Sequence, residues 1–261
     1  GMASRGGVYP IAVSIHNSGP SADGALIVKS SSMSDALRTY AYPVSLPEGT
    51  DKRIMAYPSV VNYADKVDFS FQGSADAKDA SLEVSNRDGM QVGLIGDETG
   101  ALSALRLTPI KPVKGVRRIF PGQMSGQQFN DCYAKPEDAP DRAAGYQSLS
   151  VLVLGAGAER LRPEQWSAIR HSVLDGGSLI LLGGAGASYL RVPDAAPLLP
   201  LAGLQDAVVS DLRLPQEVVE QSLPGGPVAV TTGTPVPGGQ ALATQGGRIV
   251  LSRRAFGAGA V

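Results

Sequence analysis

The stretch SLSVLVLGAGAERLRPEQWSAIRHSVLDGGSLILLGGAGAS, residues 148–188, decides the fold. It reads as strand, Gly-rich turn, helix, Gly-Gly stop, strand and second Gly-rich turn. Leu149–Leu154 and Leu179–Leu182 are short apolar runs ending in glycine, the pattern of parallel strands buried on both faces. Between them Trp166, Ile169, Val173 and Leu174 recur at helical spacing and predict one apolar face. Pro163 suits the first helical turn, where its missing N–H costs nothing. Leu161 and Trp166 stand where a hydrophobic staple requires them, and Gln165 is placed to reach back to the helix start. Gly176 and Gly177 predict a left-handed stop. Such a crossover unit implies a parallel sheet covered by helices.

Outward from this unit, the chain changes grammar twice. From about residue 8 to 88 it reads as all-β. Tyr9, Ile11, Val13 and Ile15 alternate with smaller or polar residues, and 16–20 is a turn. Ala25–Val28, Thr39–Val44, Arg53–Tyr57, Val67–Phe71 and the pair Leu82 and Val84 continue the β pattern. Six or seven short strands over this length predict a β-sandwich. From Met90 strands and helices alternate: Gln91–Ile95 ends in Gly96-Asp97-Glu98-Thr99-Gly100, a short helical run covers Ala101–Leu107, and Val116–Phe120 is a second strand. Residues 123–146 are polar and read as a segment wrapping the sheet edge. Beyond Leu190, Ala207–Leu214, Val228–Val230, Gln240–Ala243 and Arg248–Leu251 predict antiparallel strands. The fold class is thus α/β plus all-β. A β-sandwich over 1–88 is followed over 89–261 by a doubly wound α/β domain with C-terminal antiparallel strands. The terminal GAGAV stops where another strand would begin, so the chain reads as a piece of a longer protein.

Composition narrows function by exclusion. The 261 residues are 43% hydrophobic and 18% charged, with net charge −1, which fits a soluble globular protein of one large or two ordinary domains. The basic pairs Arg117–Arg118 and Arg253–Arg254 form no stripe, so nucleic acid is not an expected partner. Cys132 is the only cysteine, which excludes an internal disulfide and a cysteine-based metal site. No His/Asp/Glu spacing suggests a metal, and neither a phosphate loop nor G-x-S-x-G occurs, so no metal or cofactor is expected. Gly155-Ala156-Gly157 and Gly184-Ala185-Gly186 begin like dinucleotide fingerprints but lack the third glycine.

The run strand–GAGA–LRPEQWSAIRHSVLDGG–SLILLGG resembles the class I glutamine amidotransferase-like superfamily, which has a flavodoxin-like fold. The likeness is to its non-enzymatic members in bacterial envelope proteins, which pair an Ig-like β domain with such an α/β domain. PVSLPEGTDKRIMAY, VGLIGDETGAL and GGRIVLSRRAFGAGAV fit the same pattern. The resemblance implies an extracytoplasmic, membrane-anchored module, with other envelope proteins as partners and the tether outside this chain. True amidotransferases carry a cysteine in a G-x-C-x-G elbow with a His and Glu nearby. Here the matching elbow, 182–186, puts Gly184 at the nucleophile position, and Cys132 lies in another segment. His171 is expected on the solvent side of its helix and His16 beside a turn. A Cys132–His171 pair would have to be made by the fold.

A ligand site is expected beyond the carboxyl ends of the parallel strands. Its candidate residues are Asp97, Glu98, Gly155, Gly157, Gly184, Gly186 and Ser188, forming a crevice for a small polar ligand. Alternatively, Asp97 or Thr99 caps the following helix. The sequence therefore predicts a non-catalytic binding or assembly module. A second reading is a hydrolase or transferase using Asp97 or Glu98, which requires a carboxylate of raised pKa in a concave pocket. A weaker third is sugar stacking on Tyr40, Tyr42, Tyr57 and Tyr63 of the sandwich.

Overall fold

The computed structural model describes residues 7–31, 37–59, 65–74, 78–84, 90–97, 129–210, 212 and 225–261. The expected features at Ala101–Leu107 and Val116–Phe120 lie outside these residues, as do Glu98, Thr99 and Tyr63. The described part is mostly β-sheet with one α-helix. It divides into two compact units. One holds the described residues up to Gln91 together with Phe129–Cys132 and Ala144–Leu149, and the other holds Val92–Asp97, Tyr133–Ala143 and Ser150–Val261.

The first six strands pair antiparallel. They are β1 (Ile11–His16), β2 (Ala22–Ser31), β3 (Arg38–Leu46), β4 (Asp51–Ala56), β5 (Asp65–Gly73) and β6 (Ala80–Val84). β1 pairs with β4, and the other four form a sheet in the order β3-β2-β5-β6. Alternate side chains of both sheets meet in one core. Leu26, Val28, Val44, Val67 and Val84 of the larger sheet are buried, and Ile11, Val13, Ile15 and Ile54 of the smaller one pack against that cluster. Such period-two alternation buries one face per sheet and leaves the other to solvent. The turn after β1 is pinned by Asn17, whose side-chain amide donates to the Leu46 and Pro47 carbonyls at 2.9 and 3.1 Å. Tyr42 and Tyr40 do not project as stacking platforms. Their hydroxyls accept the backbone N–H groups of Tyr57 and Ser59 at 2.8 and 3.0 Å, and their rings pack against the core.

The second unit is built on β7 (Met90–Ile95) from Val92 on, the last two residues of β8 (Phe129–Ala134), β9 (Val151–Leu154) and β10 (Leu179–Leu181), in a sheet of order β10-β9-β7-β8. β9 runs parallel to both β7 and β10. Within the polar 123–146 segment, β8 forms an ordered strand at the edge of this sheet. Its sequence FNDCYA carries Asn130 and Asp131, which the structure buries, so the strand lacks the apolar signature that periodicity detects.

Helix α1 (Pro163–Leu174) links β9 to β10. Its start follows the sequence. Pro163 opens it, Gln165 Oε1 accepts the Arg162 N–H at 2.8 Å, and Leu161 and Trp166 are buried. Its end is a Schellman motif: Gly177 N–H bonds to the Ser172 carbonyl, Gly176 N–H to that of Val173, and Gly176 has φ +114°. Two burial expectations fail. Leu174 is exposed at the last position of the helix, where its carbonyl accepts the Ala258 N–H. Ile180, in β10, and Leu182, just after it, are exposed too; among the described strands β10 has one neighbour in its sheet.

The tail is antiparallel as predicted. The strand expected at Ala207–Leu214 is β11 (Leu201–Ser210), which pairs with β12 (Pro227–Pro235). It starts earlier because Gly203 and the polar Gln205 and Asp206 hide the periodicity of its first half. β13 (Gly239–Gln245), β14 (Arg248–Phe256) and β15 (Gly259–Ala260) complete the unit.

Candidate functional site

Three turns leave the same edge of the second unit's sheet: Gly96-Asp97 after β7, 155–160 after β9 and 182–191 after β10. Their convergence is direct. Asp97 N–H donates to the Ala156 carbonyl at 2.8 Å, and Gly96 N–H donates to that of Ala134 at the end of β8. Gly157, at φ +91°, is so close to the Asp97 carboxylate that a β-carbon there would collide with it. Tyr189, fully buried, ties two strand ends together: its hydroxyl lies 2.8 Å from both the Leu154 and Leu182 carbonyl oxygens. Of the predicted residues, Asp97, Gly155, Gly157, Gly184, Gly186 and Ser188 therefore lie at one edge. Glu98 lies outside the described residues.

Two ion clusters dominate this edge. In the first, Arg160 grips Asp97 with both terminal nitrogens, at 2.9 and 2.6 Å, while its Nε donates to Glu137 at 2.9 Å. The bidentate fork matches carboxylate geometry. The guanidinium hydrogen bonds hold the Asp97 carboxyl below the usual carboxylate range. Glu137 is held down first by its own backbone N–H and then by Arg160. The carboxylate of raised pKa that an acid–base role requires is thus not found in Asp97. Opposite charge within hydrogen-bond distance favours the ionised form and overrides desolvation.

The second cluster surrounds the elbow. Gly184 has φ +94°, and the space a β-carbon would occupy is taken by the Ala229 carbonyl of β12. Gly184 N–H donates to Thr231 Oγ1 at 2.9 Å, Thr231 donates on to Asp206 at 3.2 Å, and Arg191 completes the chain to Asp206 at 2.8 Å. Arg191 again lowers the carboxyl pKa, here that of Asp206. A crevice of about 450 Å³ opens beside this network, lined by Gly184, Gly186, Ser188, Arg191, Asp206 and Val208. Its polar equipment is a neutralised ion pair, one hydroxyl and turn backbone, which suits hydrogen bonding to a small polar molecule.

His171 is exposed on α1, its Nδ1 2.8 Å from the Ser167 carbonyl. His16 pairs with Asp51 in the first unit. Burial pushes the Cys132 thiol up to about 11, with the Asp131 charge adding to the effect, which keeps it in the unreactive protonated form.

Sequence reasoning did not assign roles to Arg160, Glu137, Tyr189, Arg191, Asp206 or Thr231. A signal existed for two of them. GAGAER (155–160) and GAGASY (184–189) are matched hexapeptides. In each the second glycine takes positive φ and opens a short helical turn, so Arg160 and Tyr189 occupy equivalent positions. Glu137, Asp206 and Thr231 are brought in by distant segments and leave no local pattern.

A family described as "Domain of unknown function (DUF8726)" matches residues 1–85. No curated protein matches the chain. Two similar solved structures are Cytoplasmic Protein STM1381 from Salmonella typhimurium LT2 and Cytoplasmic Protein STM3548 from Salmonella typhimurium. The first is 16% identical with a TM-score of 0.42, covering 66% of this chain and 85% of its own. The second is 15% identical with a TM-score of 0.43, covering 66% and 86%. Both are named as cytoplasmic proteins, and the expected extracytoplasmic, membrane-anchored placement is withdrawn. No helix among the described residues is long and apolar enough to cross a membrane.

Proposed function

We propose that this chain is a non-catalytic binding or assembly module. In this reading an Ig-like β-sandwich precedes a flavodoxin-like domain related to the non-enzymatic members of the class I glutamine amidotransferase-like superfamily. The order of the described strands supports the likeness: read from β8, they run second, first, third, fourth, with the reversal around β7 that marks a switch point in open α/β sheets. The observation that carries the non-catalytic reading is the cover over Gly184. The position that would hold an elbow nucleophile is filled by the Ala229 carbonyl of β12 and tied to Thr231. The ligand is a small polar molecule held in the crevice of Ser188, Arg191 and Asp206.

The test has two arms. Common amino acids and monosaccharides are screened by thermal shift, and at least one is expected to stabilise the chain but not its Ser188→Trp variant. Release of ammonia from glutamine is assayed in parallel and expected at the no-protein background. Turnover that disappears on Asp97→Asn would overturn the reading.

A further inference from the structure

A second cavity, of about 380 Å³, lies within the same unit between β10, β11, β12 and β14. Its volume is in the range of small-molecule sites. Ile180, Leu201, Val228, Val230, Ile249 and Leu251 form its walls, and the lining described residues include no charged and no aromatic side chain. The half-exposed Ile180 lies on its border. β10 supplies polar groups as well. The pairing with β9, with Leu152 N–H on the Ser178 carbonyl and Leu182 N–H on that of Leu154, directs the backbone N–H and carbonyl of Ile180 towards β9. The backbone of Leu181 and the carbonyl of Leu179 consequently face away from β9, as the alternation of a parallel ladder requires.

The accessible edge is short. At one end Ala260 bridges to Ser178 in parallel, with its N–H on the Gly177 carbonyl at 3.2 Å. At the other, Thr231 closes on Gly183 and Gly184. Three residues, Leu179–Leu181, remain between them, about 10 Å of strand. An added peptide strand usually needs more length than that. A charged ligand would lose its hydration without finding a partner, and a flat aromatic one would find no ring to stack on.

We propose that this cavity binds a short neutral aliphatic molecule with a hydroxyl or amide head, of the chemistry of a medium-chain alcohol. The aliphatic body fills the space between β10, β12 and β14, and the head bonds to the outward backbone of Leu179 and Leu181. The site is separate from the crevice beside Ser188, so either proposal can fail without the other.

The test uses the whole chain with 1-octanol as probe, followed by calorimetric titration and by methyl NMR of the isoleucine and leucine side chains. Saturable binding is expected, with shifts at Ile180, Ile249 and Leu251. Octanoate, with the same chain and a charged head, is expected to bind at least about tenfold more weakly. Val230→Trp, which fills the cavity, is expected to weaken octanol binding by at least about tenfold. Absence of saturable shifts in the wild-type chain, or equal binding of octanoate, would overturn the proposal. Both readouts come from the wild-type protein and stand even if Val230→Trp does not fold.

Discussion

Gly184→Ala tests the cover over the elbow and the functional reading built on it. Two costs are expected. Alanine at φ +94° sits in the left-handed region, which costs an L-residue about 1–2 kcal/mol. The new β-carbon also meets the Ala229 carbonyl of β12, and relieving an overpacked contact of this kind costs about 1–3 kcal/mol. The total is about 2–5 kcal/mol. Gly238→Ala in the same unit isolates the second cost, because Gly238 has φ +79° with nothing within 4 Å of its would-be β-carbon. That variant should lose only about 1–2 kcal/mol. The entropy that alanine removes from the unfolded chain is common to both and cancels in the comparison. Urea denaturation followed by tryptophan fluorescence reads the correct unit, since Trp166 is the only tryptophan and is buried in α1. Equal losses in the two variants would show that β12 does not crowd Gly184, and the argument against an elbow nucleophile would collapse.

Three other outcomes follow from the same geometry. Gln165 is fully buried and donates to the Pro136 and Ala139 carbonyls at 3.0 and 2.7 Å while accepting the Arg162 N–H. Gln165→Leu should therefore cost about 3 kcal/mol in urea, at about 1 kcal/mol for each bond removed, and a loss below about 1 kcal/mol would contradict the burial. Arg160→Ala should return the Asp97 pKa towards its ordinary value, read by carboxyl NMR titration. Because Asp97 is depressed in the folded chain, its contribution is present above its unfolded pKa and is lost as pH falls through the folded one. The variant should lose less stability than the wild type across that acid window. Cys132, half-buried and with its pKa raised to about 11, should react slowly with a disulfide reagent at pH 8 and much faster in urea; fast labelling of the native chain would refute the raised pKa.

How much was legible depends on how local each signal was. The α1 boundaries were readable because Pro163, Gln165, Gly176 and Gly177 act on backbone groups within one turn of themselves. The six strands of the first unit were readable because alternation records a buried face directly. β8 was missed because its buried Asn130 and Asp131 mimic a loop. The Leu174 and Ile180 expectations failed because apolarity states a preference for burial, and only the neighbouring elements decide whether something is there to cover it.

The sequence by itself determined the strand–helix–strand unit, the antiparallel tail and the glycine at the elbow, since propensity, capping and turn conformation are properties of short segments. Tertiary structure decided the character of the strand-end edge. Arg160 reaches Asp97 and Glu137, Thr231 reaches Gly184, and Arg191 reaches Asp206 across separations of 63, 23, 47 and 15 residues. No local pattern encodes such pairs. They arise when the sheet order brings separate strand ends together, and there the electrostatics fixes Asp97 as an ionised structural partner of Arg160.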